Sequence, residues 1–138
     1  PLLRFRSRDH VTASMAPVAS GRTGPRIRCI GRTDDMLIVR GVNIFPSAIR
    51  EVVNQFRPDV SGIMLVRPSR QGVQQLPPLP VHVEAAEGSS PGAGLGEAIE
   101  KAIRAKLVVT TRVEVVPFGS LPRTDYKTKL VHHFDAAG

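Results

Sequence analysis

The spacing of apolar residues predicts two amphipathic helices. In both, apolar side chains recur three and four positions apart, which aligns them on one helix face. Pro46 suits the first turn of the first helix, Ser47 is available as its cap, and Pro58 ends it. The apolar positions are Ile49, Val52, Val53 and Phe56 in the first helix, and Leu95, Ile99, Ala102, Ile103 and Leu107 in the second.

Short apolar or alternating runs between turn residues predict strands. Turns are predicted at 31–35 and 41–43, and the first 25 residues show little periodicity, so we expect them to be flexible or to pack against another part of a longer protein. The order from residue 46 is helix, strand, strand, helix, strand, with a β-hairpin in front. This order predicts an α+β fold with a small β-sheet and helices on one face. The predicted strands are 26–30, 36–39, 60–66, 79–84 and 112–116.

Composition limits the classes of function. A chain of 138 residues with 41% hydrophobic and 22% charged residues has the makeup of one globular domain, here with an appended arm. The net charge of +7 is concentrated in residues 1–40, where eight arginines face three aspartates, and it favours an anionic partner such as a nucleotide, a phosphorylated cofactor or a nucleic-acid backbone. Aromatic residues are only 4%, which argues against a base-stacking surface.

The candidate metal ligands are few. Cys29 is the only cysteine, which excludes an internal disulfide and a cysteine-based zinc site, and we predict it to be a buried small apolar side chain. His132 and His133 are adjacent and cannot share a metal from one helix face, so no metal site is predicted. No apolar run reaches the roughly 20 residues of a membrane helix and no secretory signal is recognisable, so we expect no membrane association and a cytoplasmic location. Because the chain begins at Pro1, we expect it to be part of a longer polypeptide.

Three sequence segments occur in the order found in one enzyme family. In chain order, residues 4–9 read RFRSRD, residues 31–49 read GRTDDMLIVRGVNIFPSAI, and residues 121–129 read LPRTDYKTK. Together they resemble the C-terminal domain of adenylate-forming (AMP-dependent) acyl-CoA synthetases, and most closely its phenylacetate-CoA ligase branch. The resemblance spans essentially the whole chain. It implies that residues 1–33 are the end of an N-terminal domain with its linker, and that residues 34–138 are the C-terminal lid domain.

The resemblance also implies an activity. Such a ligase joins an acid, here expected to be a small aromatic carboxylic acid, to ATP as an acyl-adenylate, then transfers the acyl group to CoA and releases AMP. ATP and Mg²⁺ would be bound mainly by the N-terminal adenylation domain, CoA would be a co-substrate, and the fragment alone would be inactive. A homodimer is left open. Two alternatives also stay open: an adenylating enzyme with an acceptor other than CoA, and a basic α+β module that binds nucleic acid.

The last motif contains the candidate catalytic residue. During adenylation, negative charge on the carboxylate and on the α-phosphate must be offset, and a long cationic side chain on a loop can bridge both anions. The resemblance assigns this role to Lys127, with Lys129 as the alternative. Tyr126 stands where the family usually has glycine.

The resemblance implies three further roles. Asp9 and Arg32 correspond to contacts with the ribose of the nucleotide; a carboxylate can accept hydrogen bonds from two neighbouring hydroxyls. Asp34 corresponds to the hinge at which a small backbone change reorients the lid. The hairpin residues that would line the CoA channel after that reorientation are Val39, Arg40, Gly41, Val42 and Asn43.

Overall fold

Two helices and eight strands make up the described part of the computed structural model, which comprises residues 7–16, 21, 24–32, 35–123 and 131. A short 3₁₀ turn, Asn54–Phe56, follows the first helix. The strands are β1 Asp9–Ser14, β2 Arg26–Arg32, β3 Leu37–Val39, β4 Val42–Ile44, β5 Val60–Val66, β6 Gln74–Gln75, β7 Leu79–Ala85 and β8 Thr111–Val116, and the helices are α1 Pro46–Val53 and α2 Leu95–Leu107.

The central sheet has the strand order β5-β7-β8. Strand β7 pairs antiparallel with β5 and parallel with β8, and α2 provides the crossover that a parallel pair requires. Helix α1 packs on β5, α2 packs on β8, and the two helices contact each other, so both cover one face of the sheet. The predicted α+β class is confirmed, and the core between helices and sheet includes Ile49, Val81, Val83, Ile99 and Ile103.

A second, three-stranded sheet has the order β4-β3-β6. Strands β3 and β4 form the predicted hairpin, but the turn is at Arg40 and Gly41 rather than at 41–43, because Val42 already pairs with Val39. Both turn residues have positive φ, 49° and 79°, a conformation that glycine adopts without steric cost. The two-residue strand β6 lies in a stretch that the apolar pattern left without an element.

Strands β1 and β2 form an antiparallel two-stranded ribbon outside the two sheets. The sequence predicted no strand before residue 26, and this prediction is wrong for Asp9–Ser14. Of the turn predicted at 31–35, Gly31 and Arg32 belong to β2 instead, while residues 33 and 34 lie outside the described residues. Residues 9–14 and 26–30 of the ribbon are exposed, Cys29 among them, so the prediction that Cys29 is buried is wrong.

Helix α1 differs from its prediction at both ends. Helix α2 has the predicted bounds, whereas regular α-helix in α1 ends at Val53 and Phe56 falls in the 3₁₀ turn. The residue before α1 is Phe45 and no side chain caps the helix. Ser47 instead donates from its hydroxyl to the carbonyl of Ile30, at 2.6 Å, so its predicted capping role is wrong. Among the described residues, no helix is long and apolar enough to cross a membrane.

Candidate functional site

Asp9 and Arg32 lie opposite each other on the ribbon. Asp9 begins β1, Arg32 ends β2, and the two are direct cross-strand partners. The Nε atom of Arg32 lies 3.9 Å from Oδ1 of Asp9, and both side chains are partly exposed. The structure therefore brings the two predicted ribose contacts together at one end of the ribbon. The arrangement offers a carboxylate acceptor beside guanidinium donors, which suits a hydroxyl-rich or anionic ligand.

A small cavity adjoins this pair. Its volume is about 170 Å³, and it is lined by Gly31, Arg32, Asp35, Phe45, Pro46 and Ser47. These residues come from the end of β2, the start of α1 and, in the case of Asp35, the segment before β3, so the cavity lies where the ribbon meets the rest of the domain. Asp34, the predicted hinge residue, lies outside the described residues.

Close packing fastens the ribbon to the start of α1. A Cβ atom at Gly31 would lie only 2.5 Å from Cδ1 of Phe45, so the phenyl ring lies directly against the glycine. The ring of His10 lies on the same phenylalanine, with centroids 5.0 Å apart. An ion pair of 2.8 Å between Arg28 and Glu51 adds a contact further along the helix.

The β3–β4 hairpin forms one side of a second cavity. This groove of about 240 Å³ is lined by Ile38, Arg40, Gly41, Arg70 and residues 74–76. Among the predicted channel residues, Arg40 and Gly41 line the groove, while Val42 and Asn43 are exposed on β4. Val39 is only 3% exposed and packs in the core, and it pairs with Val42 on one side and Gln75 on the other, so it does not line the groove.

Arg70 reaches this groove because Gln75 holds its loop. The buried amide of Gln75 accepts from the backbone N–H of Arg70 at 3.3 Å and donates to the carbonyls of Arg70 and Gly72, at 2.9 and 2.7 Å. Strand β6 in turn pairs with β3 next to the hairpin turn. Neither Arg70 nor Gln75 was singled out from the sequence, because nothing in their spacing indicates a shared groove.

The candidate catalytic residue lies outside the described part of the chain. Residues 124–130 include Lys127, the alternative Lys129 and Tyr126, and their placement is not described, nor is that of His132 and His133. The described residues on either side are Arg123 and Val131, and Val131 forms a parallel bridge with Val66 of β5.

Among the described residues, no group of three or more His, Cys, Asp or Glu side chains could hold a metal ion.

Comparison with known families identifies the class of the protein. Residues 41–134 match the model of the AMP-binding enzyme C-terminal domain, and the chain belongs to this family. Its sequence is 34% identical over 133 residues to the phenylacetate-coenzyme A ligase of Escherichia coli strain K12. That match covers 92% of this chain and 29% of the E. coli enzyme, so the chain spans about three tenths of this relative's length.

Solved structures place the fold with the same enzymes. A 2-hydroxyisobutyryl-CoA ligase in the postadenylation state superimposes with a TM-score of 0.80 at 29% identity, covering 93% of this chain and 28% of the ligase. The TM-score against the same ligase is 0.64 in an open conformation, with the same coverage of both chains. It is 0.59 in the thioesterification state, where the match covers 91% of this chain and 27% of the ligase. A separately solved domain of a phenylacetate-coenzyme A ligase from Bacteroides vulgatus matches at 30% identity and a TM-score of 0.55, covering 73% of this chain and 97% of that domain.

Proposed function

We propose that this chain is the C-terminal part of an ATP-dependent carboxylate-CoA ligase, with residues 34–138 acting as a mobile lid. In the first half-reaction, a carboxylate oxygen attacks the α-phosphorus of ATP and pyrophosphate leaves. In the second, the CoA thiolate attacks the acyl carbon and AMP leaves. The acid, expected to be small and aromatic, would bind in the N-terminal adenylation domain that precedes this chain in its relatives.

The pairing of Asp9 with Arg32 is the observation that carries this proposal. The resemblance assigns both residues to the ribose, and a shared ligand requires them to be neighbours in space. They lie on different strands and face each other at the end of the ribbon. Asp9 can accept hydrogen bonds from the ribose hydroxyls while Arg32 donates to a hydroxyl or phosphate oxygen.

The comparison with one relative in three states supports a hinge near Asp34. Its TM-score against this chain falls from 0.80 to 0.59 between the postadenylation and thioesterification states at the same 29% identity. Because the relative's sequence does not change, the difference reflects how its matched segments are arranged. Asp34 lies between β2, which belongs to the ribbon, and β3, which belongs to the lid, so rotation there would change this arrangement.

Lys127 would act in the first half-reaction. A lysine on the lid can bridge the attacking carboxylate and the α-phosphate while the lid is closed over ATP, and it is withdrawn when the lid turns. The resemblance assigns the Mg²⁺ that accompanies ATP mainly to the N-terminal domain.

The groove beside the β3–β4 hairpin would receive CoA in the second half-reaction. Arg40 and Arg70 supply positive charge suited to the phosphates of CoA. The exposed side chains of Val42 and Leu76 offer apolar surface to its uncharged parts. The groove's small size fits one segment of CoA rather than the whole molecule.

The full-length enzyme provides the test. We expect it to exchange labelled pyrophosphate into ATP only when an acid is present, and to form AMP and an acyl-CoA thioester in equal amounts when CoA is added. If acid-dependent exchange occurs but CoA does not release AMP, the acceptor is a different nucleophile. No acid-dependent exchange with any of a panel of aryl, arylacetic and short aliphatic acids, together with salt-sensitive retention on DNA, would favour the nucleic-acid-binding alternative.

A further inference from the structure

Glu84 is a fully buried carboxylate that the assignments above leave without a role. It lies on β7, and its exposure is 0%. Val81, Val83 and Ala85 are also buried in this strand, and alternation along β7 directs Glu84 to the sheet face opposite the helices. A buried carboxylate is costly unless its oxygens are paired. The partners of Glu84 therefore indicate what it holds in place.

Both described partners of Glu84 come from the segment that follows β8. The backbone N–H of Leu121 donates to Oε2 at 3.3 Å, and the guanidinium of Arg123 donates to Oε1 at 3.1 Å. Leu121 is itself buried, whereas the side chain of Arg123 is 52% exposed. The carboxylate thus fixes the backbone of this segment at one residue and its side chain two residues later.

The rest of the segment also restrains Arg123. A turn in which the Ser120 N–H donates to the carbonyl of Pro117, at 3.2 Å, includes Gly119 at a φ of 82°. This turn brings Phe118 back against Arg123, whose guanidinium carbon lies 4.6 Å from the ring centroid. Arg123 is therefore held between an aromatic face and a buried carboxylate, which is a well-determined position for an exposed arginine.

This anchor lies directly before the residues that carry the candidate catalytic lysine. Even a fully extended chain from Arg123 to Lys127 spans at most about 14 Å, so fixing Arg123 limits where the lysine backbone can lie. The next described residue, Val131, is bridged to Val66 on β5, the neighbour of β7. Residues 124–130 thus connect two fixed points on adjacent strands of one sheet.

We propose that the Glu84–Arg123 ion pair is a positioning element for adenylation. It fixes the chain at Arg123, directly before residues 124–130, so that Lys127 can reach the α-phosphate. The proposal rests on the proposed function. It assigns no contact with substrate to either residue. Glu84 acts through Arg123, and Arg123 acts through the position of Lys127.

Three variants of the full-length enzyme and one control test the proposal. Arg123→Ala removes an exposed side chain, and Glu84→Gln keeps the size and a hydrogen-bond acceptor while removing the charge. The double variant joins both changes. Arg112→Ala, at an exposed arginine of β8 in the same sheet, is the matched control. The readouts are amide hydrogen exchange at Leu121 and Arg123, pyrophosphate exchange, and thioester formation from supplied acyl-adenylate.

We expect Arg123→Ala and Glu84→Gln each to lower the kcat of pyrophosphate exchange by about 10- to 100-fold, as misplacement by about 1 Å can do. Thioester formation should stay within about twofold, because Lys127 has no role in it. The double variant should be no worse than the poorer single variant, since both remove one interaction. Amide exchange at Leu121 and Arg123 should accelerate in these variants, and Arg112→Ala should change none of the readouts.

Two results would overturn the positioning role while the proposed function stands. One is faster amide exchange in Arg123→Ala with unchanged pyrophosphate exchange, and the other is an equal loss of both half-reactions, which indicates general destabilisation. Unchanged amide exchange would overturn the anchor itself. Absence of acid-dependent pyrophosphate exchange in the unchanged enzyme is a distinct outcome, because it refutes the proposed function and, with it, the positioning role.

Discussion

Substituting Gly31 by alanine should loosen the ribbon from the domain. The new Cβ would lie 2.5 Å from Cδ1 and 3.0 Å from Cγ of Phe45, whereas carbon atoms in contact are about 3.5–4.0 Å apart. The ring must therefore retreat by about 1 Å. Phe45 directly precedes α1, and its ring also contacts His10, so the ring has little freedom to move without losing contacts. Overpacking of this kind costs about 1–3 kcal/mol.

Amide hydrogen exchange measured separately in the ribbon and in the central sheet tests this. An isolated two-stranded ribbon is marginal in water, so its amides should exchange once it detaches. A cost of 1–3 kcal/mol predicts exchange about 5- to 150-fold faster at ribbon amides such as that of Arg28, with β7 unchanged. Gly24→Ala is the matched control, because nothing lies within 4 Å of a Cβ at that position and no positive φ is involved.

A Phe45→Ala protein shows whether the clash with the phenyl ring causes the faster exchange. If the clash with the ring is responsible, Gly31→Ala should have little additional effect in a Phe45→Ala protein. Equal acceleration in the Gly31 and Gly24 variants, or an undiminished effect of Gly31→Ala without the phenyl ring, would refute the reasoning.

The other predictions concern catalysis and stability. In the full-length enzyme, Lys127→Ala should lower pyrophosphate exchange by about 10²–10³-fold and spare thioester formation from supplied acyl-adenylate. Asp34→Pro should slow thioester formation more than adenylation, because proline fixes φ at the hinge. Equal losses in both half-reactions for both variants would contradict the proposal that the lid adopts a different position in each half-reaction. Arg40→Ala should raise the KM for CoA several-fold without changing the KM for ATP, with Arg50→Ala on α1 as control; equal effects of the two would contradict the groove assignment. Val108, which follows α2, is β-branched, 76% exposed and has a φ of 55°. Because glycine adopts this conformation without steric strain, Val108→Gly should raise the free energy of unfolding, measured by urea titration, by about 0.5–1 kcal/mol. A lower free energy of unfolding would contradict the assigned strain.

Elements that face the core could be predicted from the sequence, and those held only by pairing could not. Strand β5, strand β7 and helix α2 bury one or both faces, so their apolar spacing reveals them within about one residue. The ribbon strand β1 is exposed along its whole length and has no such pattern. Strand β6 exists because two residues pair with β3 and the amide of Gln75 is buried, which no local pattern encodes.

Some residues of the candidate site could likewise be predicted from the sequence, and others could not. Asp9 and Arg32 could be found because they lie in motifs, but their pairing across two strands required β1, which the sequence did not reveal. Arg70 and Glu84 were missed. The signal for Glu84 was present, since a single carboxylate interrupts an apolar strand, yet the position of its partner Arg123 depends on a turn that spacing does not describe.

The interface between ribbon and lid must be weak for the proposed cycle to run. A rotation at residues 33–34 would keep Asp9 and Arg32 with the ribbon and carry the lysine-bearing segment and the β3–β4 hairpin away together. Among the described contacts between ribbon and lid, the exposed Arg28–Glu51 pair contributes about 0–1 kcal/mol and the Ser47–Ile30 hydrogen bond about 0.5–1.5 kcal/mol. Phe45 adds apolar contacts with Gly31 and with the ring of His10. The proposed cycle requires that binding of CoA to the alternative arrangement offset these contacts, which hold the arrangement that resembles the postadenylation state.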